Sequence, residues 1–213
     1  MPVAVIKEIV FASTNKGKIK EMNTLLEGTG IRLLSLSDIG FTQAIEETGT
    51  TFEENARIKA RAVCAFCGLP AFSDDSGLAI DALDGAPGVY SARFLGEDTP
   101  YEIKNRIVIE KLEGIPPEKR TARYECAVCC VFPGGEIVTH GVCEGTIGFE
   151  LRGANGFGYD PIFYIGERSL AEFTDDQKNA VSHRGQAVRA FVECLKEYKN
   201  ENAVPNHKER HRD

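Results

Sequence analysis

TARYECAVCCVFPGGEIVTHGVCEGTIGFEL, residues 121–151, decides the fold class. Two runs rich in apolar and β-branched residues flank Pro133-Gly134-Gly135, and such a break between strand-like runs predicts an antiparallel hairpin. Helical patterns surround it. Upstream, IKEIVFAS (6–13) and IRLLSL (31–36) read as strands, and between them Ile19, Met22, Leu25 and Leu26 fall at helical spacing over 16–27. TFEENARIKARAVCAFCG (51–68) carries a Thr51/Glu54 capping box, an apolar stripe of Phe52, Ala56, Ala60, Val63 and Cys67, and a Gly68 stop. TPYEIKNRIVIEKLEG (99–114) repeats that grammar, with Thr99 as cap, Pro100 in the first turn and Gly114 at the end. Downstream, the glycine-rich RGANGFGYDPIF (152–163) leads into a short strand, and a last helix spans about 186–198. The predicted class is α/β with a mixed sheet, in one domain over 1–199, followed by a charged, frayed tail at 200–213.

The chain has 213 residues, 42% hydrophobic and 27% charged, with a formal net charge of −7. That is enough chain for a real core. A negative balance without a basic stripe argues against nucleic acid as a partner, and no run is long enough to span a membrane. The expected setting is the cytoplasm. Seven cysteines include the pairs CAFC (64–67) and CAVC (126–129). On a strand, positions three apart face opposite ways, so Cys126 and Cys129 cannot share a metal. The first pair lies within a helical pattern, so reduced thiols acting as small core residues are expected rather than zinc ligands.

Five segments carry chemistry. In ASTNKGK (12–18) a strand gives way to a helix, where free N–H groups form an anion site beside Ser13, Thr14, Asn15 and Lys18. Glu46-Glu47 and Asp74-Asp75 are paired carboxylates in turn-rich sequence, which predicts loops able to hold Mg²⁺ alongside phosphates. GANGFGYDP (153–161) offers Phe157 and Tyr159 as flat faces for a base. Lys178, His183 and Arg184 add donors within seven residues. A guanidinium has donors only, so it suits a base carbonyl and leaves an amino group unmatched. Neither a Walker motif nor a dinucleotide fingerprint is present.

On ASTNKGKIKEM, EETGTTFEENARIKA, DDSGLAIDALDGAPGVYSAR, GFGYDPIF and SHRGQA, in that order, the chain resembles the inosine/xanthosine triphosphate pyrophosphatase family over roughly residues 8–198. The resemblance implies an elongated mixed sheet with two lobes around a central cleft, a homodimer, and hydrolysis of non-standard purine nucleoside triphosphates (ITP, dITP, XTP) to the monophosphate and pyrophosphate. It also implies that Ser13, Thr14, Asn15, Lys16, Gly17 and Lys18 cradle the triphosphate. Glu46 and Asp75 would hold Mg²⁺, with Asp75 the proton acceptor. Lys59 and Ser76 would contact substrate. Phe157, Gly158, Tyr159 and Asp160 would line the base and sugar pocket, and Lys178, His183 and Arg184 would hold base and phosphate. Other readings are a non-hydrolysing nucleotide sensor, a pyrophosphatase for modified pyrimidines or standard nucleotides, and a zinc or redox protein.

Overall fold

A computed structural model describes residues 6–201. Its strands are β1 (Glu8–Phe11), β2 (Arg32–Leu34), β3 (Ala71–Ile80), β4 (Thr121–Phe132), β5 (Gly135–Ile147), β6 (Phe163–Ile165) and β7 (Arg168–Ser169). The longer helices are α1 (Lys16–Leu26), α2 (Phe52–Cys67), α3 (Tyr101–Lys111), α4 (Asp175–Val181) and α5 (His183–Glu201). The seven strands form one mixed sheet in the order β2-β1-β3-β4-β5-β6-β7. β1 runs parallel to β2 and β3, and every later pairing is antiparallel. The expected hairpin is β4–β5: Phe132 faces Gly135 across Pro133-Gly134, with Gly134 at φ 112°. As alternation requires, Cys126 packs with the core that holds Phe72, whereas Cys129 packs under Ala56 and Ala60 of α2. Burial pushes both thiols up to about 12, so they are inert core groups.

The helices bury the stripes their sequences carry. α2 has the Thr51/Glu54 capping box, ends on left-handed Gly68, and lays Ala56, Ala60 and Val63 on one face of the sheet. α1 and α5 cover the other face, where Met22, Leu26, Val188 and Phe191 meet Phe11 and Phe72 of the sheet. A separate core gathers Val108 and Leu112 against Leu78, Ile80, Tyr124 and Phe163 at the far end of the sheet.

Three expectations change. SDDSG is no turn but the middle of β3, fully paired with β4 from Ala71↔Val131 to Ile80↔Ala122. Ladder pairing on β4 and cover from helices on both faces override the local turn preference of Asp, Ser and Gly. The Thr99 cap is not used: its hydroxyl donates back to the Leu95 carbonyl at 2.6 Å, and Pro100 occupies the N-cap without a side-chain bond. The last helix starts at His183, three residues before the predicted start, and continues to Glu201; the rest of the predicted tail lies outside the described residues.

α5 rests so closely on β5 that a Cβ on Gly141 would lie 2.1 Å from the His183 carbonyl oxygen. Neither backbone can yield cheaply. Gly141→Ala is therefore expected to cost roughly 1–3 kcal/mol, read as a lower thermal midpoint, whereas an unchanged midpoint would show that α5 is free to ride outward.

Candidate functional site

A cavity of about 570 Å³ opens over β3, whose Asp75, Ser76 and Gly77 form its floor. Because side chains alternate along a strand, Asp74 and Asp75 do not share a space: they point to opposite faces. Their direct ion pairs differ: Lys18 and Arg184 on Asp74, Lys59 on Asp75.

On the α1/α5 face, the Asp74 carboxylate is fully buried, 3.0 Å from both Lys18 Nζ and Arg184 Nε. Burial would raise this acid, but Lys18, Arg184 and Lys59 together hold it well below the usual carboxylate range. Arg184 also donates to Glu21 at 2.5 Å and to Ser76 Oγ at 2.8 Å, which commits three of its five N–H groups. Glu21 extends the chain to Lys178 at 2.7 Å, and Lys178 reaches Asp160 at 2.6 Å. Glu21 is partly buried, yet Arg184 and Lys178 outweigh desolvation and lower its pKa. The same Asp160 accepts the Phe157 N–H at 2.8 Å, so the aromatic loop is anchored on this chain of charges. Phe157 lies over Lys178, whose Nζ is 4.6 Å from the ring centre. His183 stacks on Tyr124 at 4.6 Å and 6°, with Nδ1 unpartnered. Burial, reinforced by Arg184 and Lys178, depresses its pKa well below 6.5 and keeps the imidazole neutral.

On the α2 face, one helical turn separates Asn55 from Lys59, and both reach Asp75. Asn55 Nδ2 donates to Oδ2 at 3.2 Å, and Lys59 Nζ lies 3.3 Å from Oδ1. Lys59 pairs more closely with Glu47, at 2.8 Å. Asn55 Oδ1 accepts the Gly49 N–H at 2.8 Å, which ties the acidic loop to β3 through Asn55 and Asp75. Burial raises Asp75 above an ordinary aspartate; Lys59 and Lys18 pull it back, and Glu47 and Asp74 push it further. Glu46 is exposed at the cavity wall and makes no bond to another described residue. At the start of α1, Asn15 Oδ1 caps the Lys18 N–H at 3.1 Å, and Ser13 Oγ accepts from Asn15 N at 3.2 Å.

The structure brings Ser13, Thr14, Asn15, Lys18, Glu46, Lys59, Asp75, Ser76, Phe157, Gly158, Tyr159, Asp160, Lys178, His183 and Arg184 to this one cavity. Lys16 and Gly17 do not line it; Gly17 is covered by the Phe157 ring, 2.7 Å from where its Cβ would sit. Sequence reasoning missed Glu21, Asn55 and Tyr124. Glu21 follows Lys18 by three residues, hence on the same helical face, and Asn55 is a polar group at an inward position of α2; both signals were available. Glu47, rather than Glu46, is the acid next to Lys59.

Oxygen donors here suit a hard cation. The Asp75 carboxylate makes only long bonds to nitrogen, and Glu46 is unengaged. Among the described residues no three His, Cys, Asp or Glu side chains gather into a self-sufficient metal cluster. Mg²⁺ needs no such cluster when phosphates supply further oxygens, so the residues fit that ion in the company of a nucleotide.

Residues 9–194 match the family model described as Ham1 family. A dITP/XTP pyrophosphatase of Exiguobacterium sibiricum is 48% identical over 191 residues, covering 88% of this chain and 96% of the relative. One of Bacillus subtilis is 47% identical over 194 residues, covering 90% and 98%. Among solved structures, a HAM1 protein from Coxiella burnetii aligns with TM-score 0.81 at 44% identity, covering 89% of this chain and 98% of that one. A nucleoside-triphosphatase / dITP/XTP pyrophosphatase from Mycobacterium abscessus aligns with TM-score 0.69 at 42% identity, covering 86% and 98%.

A depressed folded-state pKa at His183 means that the unfolded chain takes up its proton first as pH falls. Its stabilising contribution is complete above 6.5 and is lost below it, by up to about 1.4 kcal/mol per pH unit. Urea midpoints measured from pH 7.5 to 5 are expected to fall, with a shallower fall in His183→Gln; equal slopes would mean that the imidazole carries charge in the fold.

Proposed function

The chain belongs to the Ham1 family, and on that premise we propose how its cavity hydrolyses non-standard purine nucleoside triphosphates (ITP, dITP, XTP) to the monophosphate and pyrophosphate. The observation that carries the reading is the placement of Asp75: a carboxylate on the cavity floor, weakly held by Lys59 and Asn55 and raised by burial, within one space that also contains the start of α1.

In this reading the triphosphate lies along Ser13–Asn15, Lys18 and Lys59, whose donors match phosphate oxygens. Water attacks the α-phosphorus, Asp75 accepts its proton, and the bond from the α-phosphorus to the bridging oxygen breaks. Pyrophosphate leaves with the electron pair, its charge met by the lysines. Glu46 and Asp75 would hold Mg²⁺, and Glu47 adjoins them. When bound, that ion offsets phosphate charge and raises the acidity of nearby water.

The base belongs on the other face of β3, under Phe157 and beside His183 and Arg184. Two N–H groups of Arg184 remain for a 6-oxo oxygen, and neutral His183 has Nδ1 free of partners. A 6-amino purine would leave the guanidinium facing donors, and each unmatched buried group costs roughly 1–3 kcal/mol. The same reading takes residues 1–199 as a single domain that works as a homodimer in the cytoplasm. No helix among the described residues is long and apolar enough to cross a membrane.

Pyrophosphate release with Mg²⁺, measured across ITP, dITP, XTP, GTP, ATP and dTTP, is expected to be strong for the first three and weak for the rest. Asp75→Asn is expected to remove turnover by about three powers of ten or more while the protein still binds dITP; near-normal rates would move the proton acceptor elsewhere.

A further inference from the structure

Five side chains with strong positive charge line the cavity, and four of them are already matched. Lys18 faces Asp74, Lys59 faces Glu47 and Asp75, Lys178 faces Asp160 and Glu21, and Arg184 faces Asp74 and Glu21. Arg93 is the exception. It lines the same cavity and is half-buried; its guanidinium has no carboxylate or carbonyl partner among the described residues and lies 5.6 Å from the Tyr90 ring centre. Glu97, which lines the cavity too, does not pair with it.

The segment before Arg93 is held rigidly. Ser91 Oγ accepts the Leu78 N–H at 2.9 Å and donates to the Gly88 carbonyl at 2.6 Å, while the Ser91 and Ala92 carbonyls accept from Tyr159 and Lys104. It is pressed against Gly77, where a Cβ would sit 2.3 Å from the Gly88 oxygen. Gly77 is two residues beyond Asp75 and therefore on its face of β3. The base-binding set lies on the opposite face. An unmatched guanidinium, mounted on a fixed backbone at the Asp75 face, suits an anion, and the anionic part of a nucleoside triphosphate is its phosphate chain.

Resting on the pyrophosphatase reading, we propose that Arg93 is a phosphate-binding residue that grips the β,γ-phosphates, hence the leaving pyrophosphate. The test is inhibition of dITP hydrolysis by pyrophosphate and, separately, by dIMP, in wild type, Arg93→Gln and Arg93→Lys. In Arg93→Gln the inhibition constant for pyrophosphate is expected to rise about tenfold, the size of one charge-assisted bond, with that for dIMP unchanged; Arg93→Lys should recover part of the loss. Isothermal titration of pyrophosphate gives the same comparison without turnover. Unchanged pyrophosphate inhibition, or equal loss for both ligands, would overturn the assignment. A shift in the dITP:dATP ratio with pyrophosphate inhibition unchanged would also overturn it, placing Arg93 at the base. Wild-type protein that neither hydrolyses dITP nor binds pyrophosphate would overturn the underlying reading, and this assignment with it.

Discussion

The contact on which the rest of the site depends is Arg184 with Asp74, buried on one face of β3. Neither group could stand there alone: an isolated charge in so dry a place would cost several kcal/mol, and removing one partner of such a pair typically costs about 3–5 kcal/mol. Their pairing is extended at both ends into the series Lys18, Asp74, Arg184, Glu21, Lys178, Asp160, in which cation and anion alternate. The series joins α1, β3, α4, α5 and the loop that carries Phe157. α1, β3 and the C-terminal group of the loop, α4 and α5 are far apart in sequence, and apolar packing alone would leave them free to slide by fractions of an ångström. Directional bonds from a planar guanidinium fix their relative register. The cavity is preorganised because its walls are tied to one another through charge.

The strand between the walls does a second task by geometry alone. In β3, successive residues face opposite sides, so two adjacent aspartates acquire different surroundings without any special local device. Asp74 receives two strong cations and is held firmly ionised. Asp75 receives a single lysine, shared with Glu47, and an amide, and burial raises it. One becomes a structural anchor, and its neighbour is left as the base of the proposed reaction. A turn at the same place would have set both carboxylates toward solvent and toward each other.

That contrast marks what the sequence made legible. Periodicity and caps located the β4–β5 hairpin and α2 closely, because TFEENARIKARAVCAFCG states its start, stripe and stop in adjacent residues. The cavity residues were legible as a set through five ordered motifs, and the fold gathers nearly all of them. What local sequence could not show was the conformation of SDDSG. Its turn-forming residues are outvoted by ten ladder pairs with β4 and by helices on both faces, and neither influence is encoded nearby. For the same reason Arg184 reads as a free donor on paper but as a strut in the fold: its partners Glu21, Asp74 and Ser76 lie more than a hundred residues away.

Charge balance across the cavity bears on why a nucleotide would enter with a cation. The lining carboxylates are Glu46, Glu47, Asp75, Glu97 and Asp160, and the lining cations are Lys18, Lys59, Arg93, Lys178 and Arg184; His183 is neutral. Lys18, Lys178 and Arg184 are further held by Asp74 and Glu21 behind the wall, so among the lining cations the Arg93 guanidinium alone lacks a carboxylate partner among the described residues, and the cavity offers a polyanion little net attraction. A triphosphate must therefore either draw lysines from their carboxylate partners, leaving those acids exposed to its own charge, or bring positive charge with it. In the proposed reaction, Glu46 and Asp75 would hold Mg²⁺, whose charge would meet that need and offset both acids. On that reading the acidic wall would disfavour a bare polyanion and favour its metal complex, the form in which the proposed reaction can proceed.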